Sequence, residues 1–209
     1  MDLILPTTGT FLYMSYPWNS KTFTIVHNLA LSCYSLWTFI QLSLVLVNHG
    51  FHFSTKYYFN IPEAKTILFY FYISKYYEYM DTFILYGKGK SVSFLQKFHH
   101  IGAAFCWHLC YYNEVDAIIM ASLFNSFIHS IMYFYYFLTI IQVDVRTYKL
   151  YLTSMQMLQF ISGFASLYLW VPVETLTNQC IILIFLTYNL GLVFLFWDFM
   201  RVTYLRRIE

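Results

Sequence analysis

Residues 115–139 read VDAIIMASLFNSFIHSIMYFYYFLT. About 20 residues of helix cross the hydrocarbon core of a bilayer, and beyond Asp116 this run carries no Asp, Glu, Lys or Arg. Its length and apolarity predict a membrane-spanning helix. Within it Asn125, His129, Met132 and Tyr136 recur at intervals of four, three and four, which places them in one stripe on one helix face. Polar groups are costly in hydrocarbon, so the stripe must look into a bundle, where it serves as glue between helices or as the lining of a cavity.

Similar apolar runs lie at 23–47, 62–86, 146–170 and 178–200, with a shorter and more polar one at 96–112. The whole 209-residue chain is 59% hydrophobic and only 11% charged, against about 25% charged residues in soluble domains. A net charge of +2 is too small and too scattered for nucleic-acid binding. These features predict an all-α integral membrane protein, a bundle of six to seven transmembrane helices forming a single domain over 1–209. Residues 3–16, broken by Pro6, are the seventh candidate and are read as interfacial or partly inserted, within a shortened N-terminal segment 1–22. No basic stretch precedes them, so no cleaved signal peptide is expected. Cys33, Cys106, Cys110 and Cys180 all sit in apolar segments without paired spacing and are expected to be reduced.

On a six-span weave Lys21, Lys88, Lys90, Lys97, Arg146, Lys149, Arg201, Arg206 and Arg207 fall on one side, and only Lys56 and Lys65 on the other, with Glu114, Asp116 and Glu174. The positive-inside rule makes the first side cytosolic, together with the tail 201–209. Arg206-Arg207, third and fourth from the end, resemble a dibasic retrieval signal of the endoplasmic reticulum. Topology alone also produces such a pair.

Three further clusters lie within or beside the spans. Lys75-x-x-Glu78-x-x-Asp81-Thr82 occupies one helix face, and Lys75 and Glu78 are three apart, the spacing of a helical ion pair. Gln96-Lys97-Phe98-His99-His100 opens the short polar run; its two histidines project about 100° apart on a helix. Thr153-x-x-Gln156-x-x-Gln159 is again a single face. Taken singly, each has an ordinary structural reading: an ion pair, interfacial histidines, interhelical glue. Together they suggest a cavity lined from several helices near the basic end.

These motifs, in this order, resemble the ELO fatty-acid elongases, membrane 3-ketoacyl-CoA synthases that condense malonyl-CoA with a long-chain acyl-CoA. The family's KxxExxDT is matched by Lys75, Glu78, Asp81 and Thr82, and its HxxHH box by Gln96, His99 and His100 with one change. Its NxxxHxxMYxYY is matched by Asn125, His129, Met132, Tyr133, Tyr135 and Tyr136, and its TxxQxxQ by Thr153, Gln156 and Gln159. The family has seven helices, the first corresponding here to the short 3–16 stretch. The resemblance implies an acyl-imidazole on His99, with His129 positioning or deprotonating it, and Gln96, Asn125 and His100 donating N–H groups to developing oxyanions. Gln96 donates but cannot shuttle a proton.

Lys75, Glu78, Asp81, Thr82, Tyr133, Tyr136, Gln156 and Gln159 are then substrate-site residues, and Lys88, Lys90, Arg146 and Lys149 (with Lys97) could pair with CoA phosphates. The acyl chain is expected in a tunnel among the aromatic side chains, closed toward the end opposite the basic one. No cofactor or metal is expected. The setting implied is the endoplasmic reticulum membrane, with a ketoacyl reductase, a dehydratase and an enoyl reductase as partners and a possible homodimer. The competing readings are a catalytically impaired elongase-like protein that regulates a partner, a small receptor or transporter, and a membrane di-iron desaturase or hydroxylase. The last needs several histidine boxes, and His27, His49, His52 and His108 fall in none.

Overall fold

The computed structural model describes residues 20–205, without the Leu205 side chain; the 3–16 stretch and Arg206-Arg207 lie outside the described residues. The chain is built from α1 (Lys21–His49), α2 (Pro62–Tyr77), α3 (Tyr79–Gly87), α4 (Phe94–Tyr112), α5 (Ile118–Ile140), α6 (Lys149–Trp170) and α7 (Leu176–Met200), and no strand occurs among the described residues. Local chemistry sets several starts. Ser20, Ser93 and Thr175 cap α1, α4 and α7 by accepting the backbone N–H of Phe23, Gln96 and Asn178, while Pro62 opens α2 where no N–H is required. Gly50, at φ +76°, ends α1 in a conformation that disfavours a side chain.

What distinguishes α1 from a helix of a soluble protein is where its polar residues lie. On α1 the buried face carries Thr24, His27, Asn28, Ser32, Ser35 and Thr38 beside Leu31, Leu42 and Val45, while Val26, Leu29, Leu36, Ile40, Leu44 and Val47 are exposed. Water could not stabilise that arrangement; hydrocarbon does, because polar groups satisfy one another inside while apolar ones meet lipid tails. The protein is an all-α membrane protein. Among the described residues three helices are long and apolar enough to cross a membrane: Lys21–His49, Ile118–Ile140, and Leu176–Tyr204, the last including a final π-helical turn.

That count is lower than the six or seven spans expected. The run at 62–86 is divided at Glu78, leaving 16 and nine residues on either side. In α4 and α6 the polar motif residues dilute the apolar character. Glu78 keeps helical dihedrals (φ −60°, ψ −16°), so α2 and α3 form one interrupted rod.

The rods pack in a closed ring in the order α1, α5, α6, α7, α4, α2 and back to α1, the most extensive contact being α1 with α5. Sequence neighbours are therefore often not spatial neighbours: α4 and α5 barely touch, whereas α4 packs on α7. At the acidic end of the ring Glu114 bridges Lys56 and Lys65 at 2.8 Å each, and the two hydrogen bonds hold its carboxyl down at about 2. Asp116, fully buried, accepts the backbone N–H groups of Tyr58 and Phe59 at 3.1 and 3.3 Å. Burial nevertheless pushes its carboxyl up to about 7.

Candidate functional site

The ring's interior gathers side chains from α1, α2, α3, α4, α5 and α7. Lys75, near the end of α2, is 1% exposed and satisfied on three sides. Its Nζ donates to Glu78 Oε1 at 2.7 Å and to Asn125 Oδ1 at 2.6 Å, and it lies 4.2 Å from the centre of the Phe71 ring. Those contacts are what make a buried ammonium tolerable. Since Asn125 Oδ1 accepts from lysine, its Nδ2 is the atom that meets His129 Nε2, at 3.1 Å. His129 Nε2 must therefore accept, so the ring proton sits on Nδ1, 3.4 Å from Glu78 Oε1.

A second branch runs through Asp81. Its Oδ1 is 2.8 Å from His27 Nε2, and its Oδ2 accepts the Tyr133 hydroxyl at 2.7 Å. His99 completes the interior, its ring centre 5.4 Å from that of His100 and 6.3 Å from that of His129. The donor atoms of Glu78, His99 and His129 lie within 4.8 Å of one another, a spacing that a small cation could bridge, although Lys75 already occupies Glu78 Oε1.

His99, Asn125, Gln159, Phe160, Tyr188 and Asn189 help line a cavity of about 30 Å³. A larger one of about 200 Å³ lies nearer the acidic end, walled by Phe51, Phe53, Met120, Ser166 and Trp170. Phe124, half-buried on α5, belongs to the walls of both.

The structure thus brings together Lys75, Glu78, Asp81, Asn125, His129, Tyr133, His99 and His100. Gln159 reaches the cavity, while Gln156 donates to Met132 Sδ at 3.2 Å on the α5–α6 seam. His100 is buried with Nδ1 unpartnered among the described residues. Gln96 and Thr82 are half-buried, and Tyr136 is exposed at 41%. Lys88 donates to Thr24 Oγ1 at 2.8 Å, and partial burial with Lys90 beside it pulls its ammonium below the usual lysine range. Lys149 lies 5.7 Å from the Tyr204 ring, and Lys90, Lys97 and Arg146 are exposed. The four cysteines are free, as expected, and none belongs to the site.

Two members of the site were missed in the sequence reading. His27 sits in an apolar run, but Thr24, His27, Asn28 and Ser32 repeat at three- and four-residue spacing, a polar stripe that could have exposed it. Tyr188, whose hydroxyl meets His99, carried no signal among 21 tyrosines.

The model of the ELO family, described as GNS1/SUR4, matches residues 4–209. The chain belongs to the ELO family. Among similar ELO proteins, very long chain fatty acid elongase 4 of Homo sapiens is 33% identical over 204 residues, covering 90% of this chain and 63% of the human protein. Fatty acid elongase sre1 of Dictyostelium discoideum is 36% identical over 108 residues, 51% of this chain and 40% of that protein. Very long chain fatty acid elongase 5 of Tachysurus fulvidraco is 29% identical over 184 residues, 77% and 62%. The chain therefore spans less than two thirds of the length of these ELO relatives. No solved structure matches it.

Proposed function

We propose that this ELO protein is a fatty acid elongase that condenses malonyl-CoA with a long-chain fatty acyl-CoA to give 3-oxoacyl-CoA, CO2 and CoA. The observation that carries the reading is His99, set in the wall of an interior cavity beside the buried Lys75–Glu78–Asn125–His129 network, with no cysteine among the residues that line that cavity. A ring nitrogen of His99 attacks the thioester carbonyl; the C–N bond forms, the C–S bond breaks and CoA leaves. Malonyl-CoA then loses CO2, and the enolate carbon attacks the acyl group, forming the C–C bond and freeing the imidazole.

His100 and Gln96 are the candidates for N–H donation to the oxyanions. Asn125, whose two amide atoms are already engaged by Lys75 and His129, serves better to hold His129. His129 in turn stands between Asn125 and Glu78, a positioning arrangement more than a direct proton relay to His99. The acyl chain runs from His99 through the smaller cavity and past Phe124 into the larger one. CoA stays at the basic end, where Lys90, Lys97, Arg146 and Lys149 are open to its phosphates. That end faces the cytosol in the endoplasmic reticulum membrane, and a reductase, a dehydratase and an enoyl reductase complete the cycle.

Purified protein given a long-chain acyl-CoA and malonyl-CoA forms 3-ketoacyl-CoA on this reading, detectable by mass spectrometry, and His99→Ala abolishes it. Wild-type turnover in His99→Ala overturns the acyl-imidazole.

A further inference from the structure

We propose that Tyr188 fixes the tautomer of His99, keeping its proton on Nδ1 so that Nε2 is the nucleophile and the acylated ring is an acyl-imidazolium. Tyr188 is a positioning residue, and its role deepens the condensation reading above and rests on it. The Tyr188 hydroxyl lies 2.9 Å from the backbone carbonyl oxygen of His99 and 3.1 Å from His99 Nδ1. A carbonyl only accepts, so the single hydroxyl proton is committed to it. What the phenol presents to Nδ1 is then a lone pair, which requires an N–H there. In a neutral imidazole the hydrogen bond of one nitrogen decides the state of the other, so Nε2 is left bare.

The fold enforces this contact from both sides. Tyr188 comes from α7, 89 residues distant along the chain, and packs against α4 at Gly102. A Cβ at Gly102 would collide with the Tyr188 ring, so only glycine lets the ring lie close enough to α4 for its hydroxyl to reach His99, one turn earlier on that helix. The Phe98 ring, 5.6 Å from that of Tyr188, presses on Gly191, where a Cβ would come within 2.9 Å of it. Gly102 on α4 thus makes room for the phenol, and Gly191 on α7 makes room for the Phe98 ring beside it.

The chemistry then balances without moving the histidine proton. Neutral His99 and the acyl-CoA give acyl-imidazolium and CoA thiolate, which takes a proton from solvent. Malonyl-CoA gives CO2 and an enolate anion. Enolate and acyl-imidazolium combine to 3-ketoacyl-CoA and neutral His99, protonated on Nδ1 as at the start. The positive charge makes the acyl carbon a better electrophile for the carbanion, and Tyr188 stabilises it by accepting from Nδ1–H.

The test is ¹⁵N NMR of histidine-labelled protein in bilayers, with the His99 signals assigned by loss in His99→Ala. In the wild type His99 should carry its proton on Nδ1, and in Tyr188→Phe, which keeps the ring and its packing, part of the population should move to Nε2–H. In parallel, CoA release from acyl-CoA alone should slow about 10- to 100-fold in Tyr188→Phe, the effect of losing one hydrogen bond to a charged group, with KM for acyl-CoA unchanged. Gly102→Ala, which displaces the ring but keeps the hydroxyl, should show the same tautomer change, and combining the two substitutions should cost little more than either. An Nε2–H wild type, or a Tyr188→Phe protein with unaltered tautomer or release rate, overturns the proposal. If the wild type shows the Nδ1 proton but never releases CoA, it is the condensation reading that fails, and the tautomer assignment stands.

Discussion

Lys75 and Glu78 are the residues for which the site's electrostatics are most demanding. Both are buried, 2.7 Å apart, and both also reach α5. Moving one partner out of such a pair leaves an uncompensated charge in a region where water cannot help, at a cost of about 3–5 kcal/mol. Lys75→Met and Glu78→Gln should each lower the unfolding temperature in detergent markedly. The double substitution should be less damaging than the sum of the two, because the survivors are then neutral. Additive losses would mean that the two charges do not stabilise one another. At the same scale, Tyr188 and His27 show that a buried hydroxyl or imidazole gains its meaning from what it touches.

At the scale of elements, α2 and α3 are interrupted at Glu78, and the loss of regular helix coincides with the position where a carboxylate must turn toward both Lys75 and His129. On α5, Phe124 lines both the small cavity beside His99 and the larger one near Phe51 and Trp170. Phe124→Ala removes a ring common to both walls, so the product distribution should shift toward longer chains, with CoA release from acyl-CoA nearly unchanged. Products are compared by mass spectrometry after expression in a host lacking its own elongases; an unaltered chain-length profile would exclude Phe124 as the limiting wall. Gly163 on α6 works in the opposite direction. A Cβ there would stand 3.3 Å from Asn189 Nδ2, and the space beside His99 depends on its absence.

For the whole molecule, the acidic end is closed by carboxylates of opposite behaviour. Glu114 is held down at about 2 by Lys56 and Lys65, so its contribution is complete above the ordinary carboxylate range and is lost only as pH falls toward 2. Asp116 is pushed up from 3.8 to about 7, by burial first and with Glu174 adding to it. The folded state therefore binds a proton that the unfolded chain has released, and stability falls as pH rises across that window. Relative to Asp116→Asn, the wild type should lose unfolding temperature between about pH 5 and 7. A difference between the two that does not vary with pH would show that Asp116 ionises freely in the fold.

The sequence by itself determined the membrane class, the polar stripes and the four motifs, because apolar length and helical spacing are local properties of the chain. Lys75 with Glu78, and Asn125 with His129, were legible for that reason: each pair lies within one turn. Only the tertiary structure decided that α4 packs on α7 rather than α5, that His27 closes on Asp81, and that Tyr188 meets His99. Those contacts join residues 54 and 89 positions apart, and nothing local marks them. They follow from the order in which the rods close the ring, and that order is set by which surfaces fit, with glycines such as Gly102 admitting a neighbouring ring where a side chain would hold the helices apart.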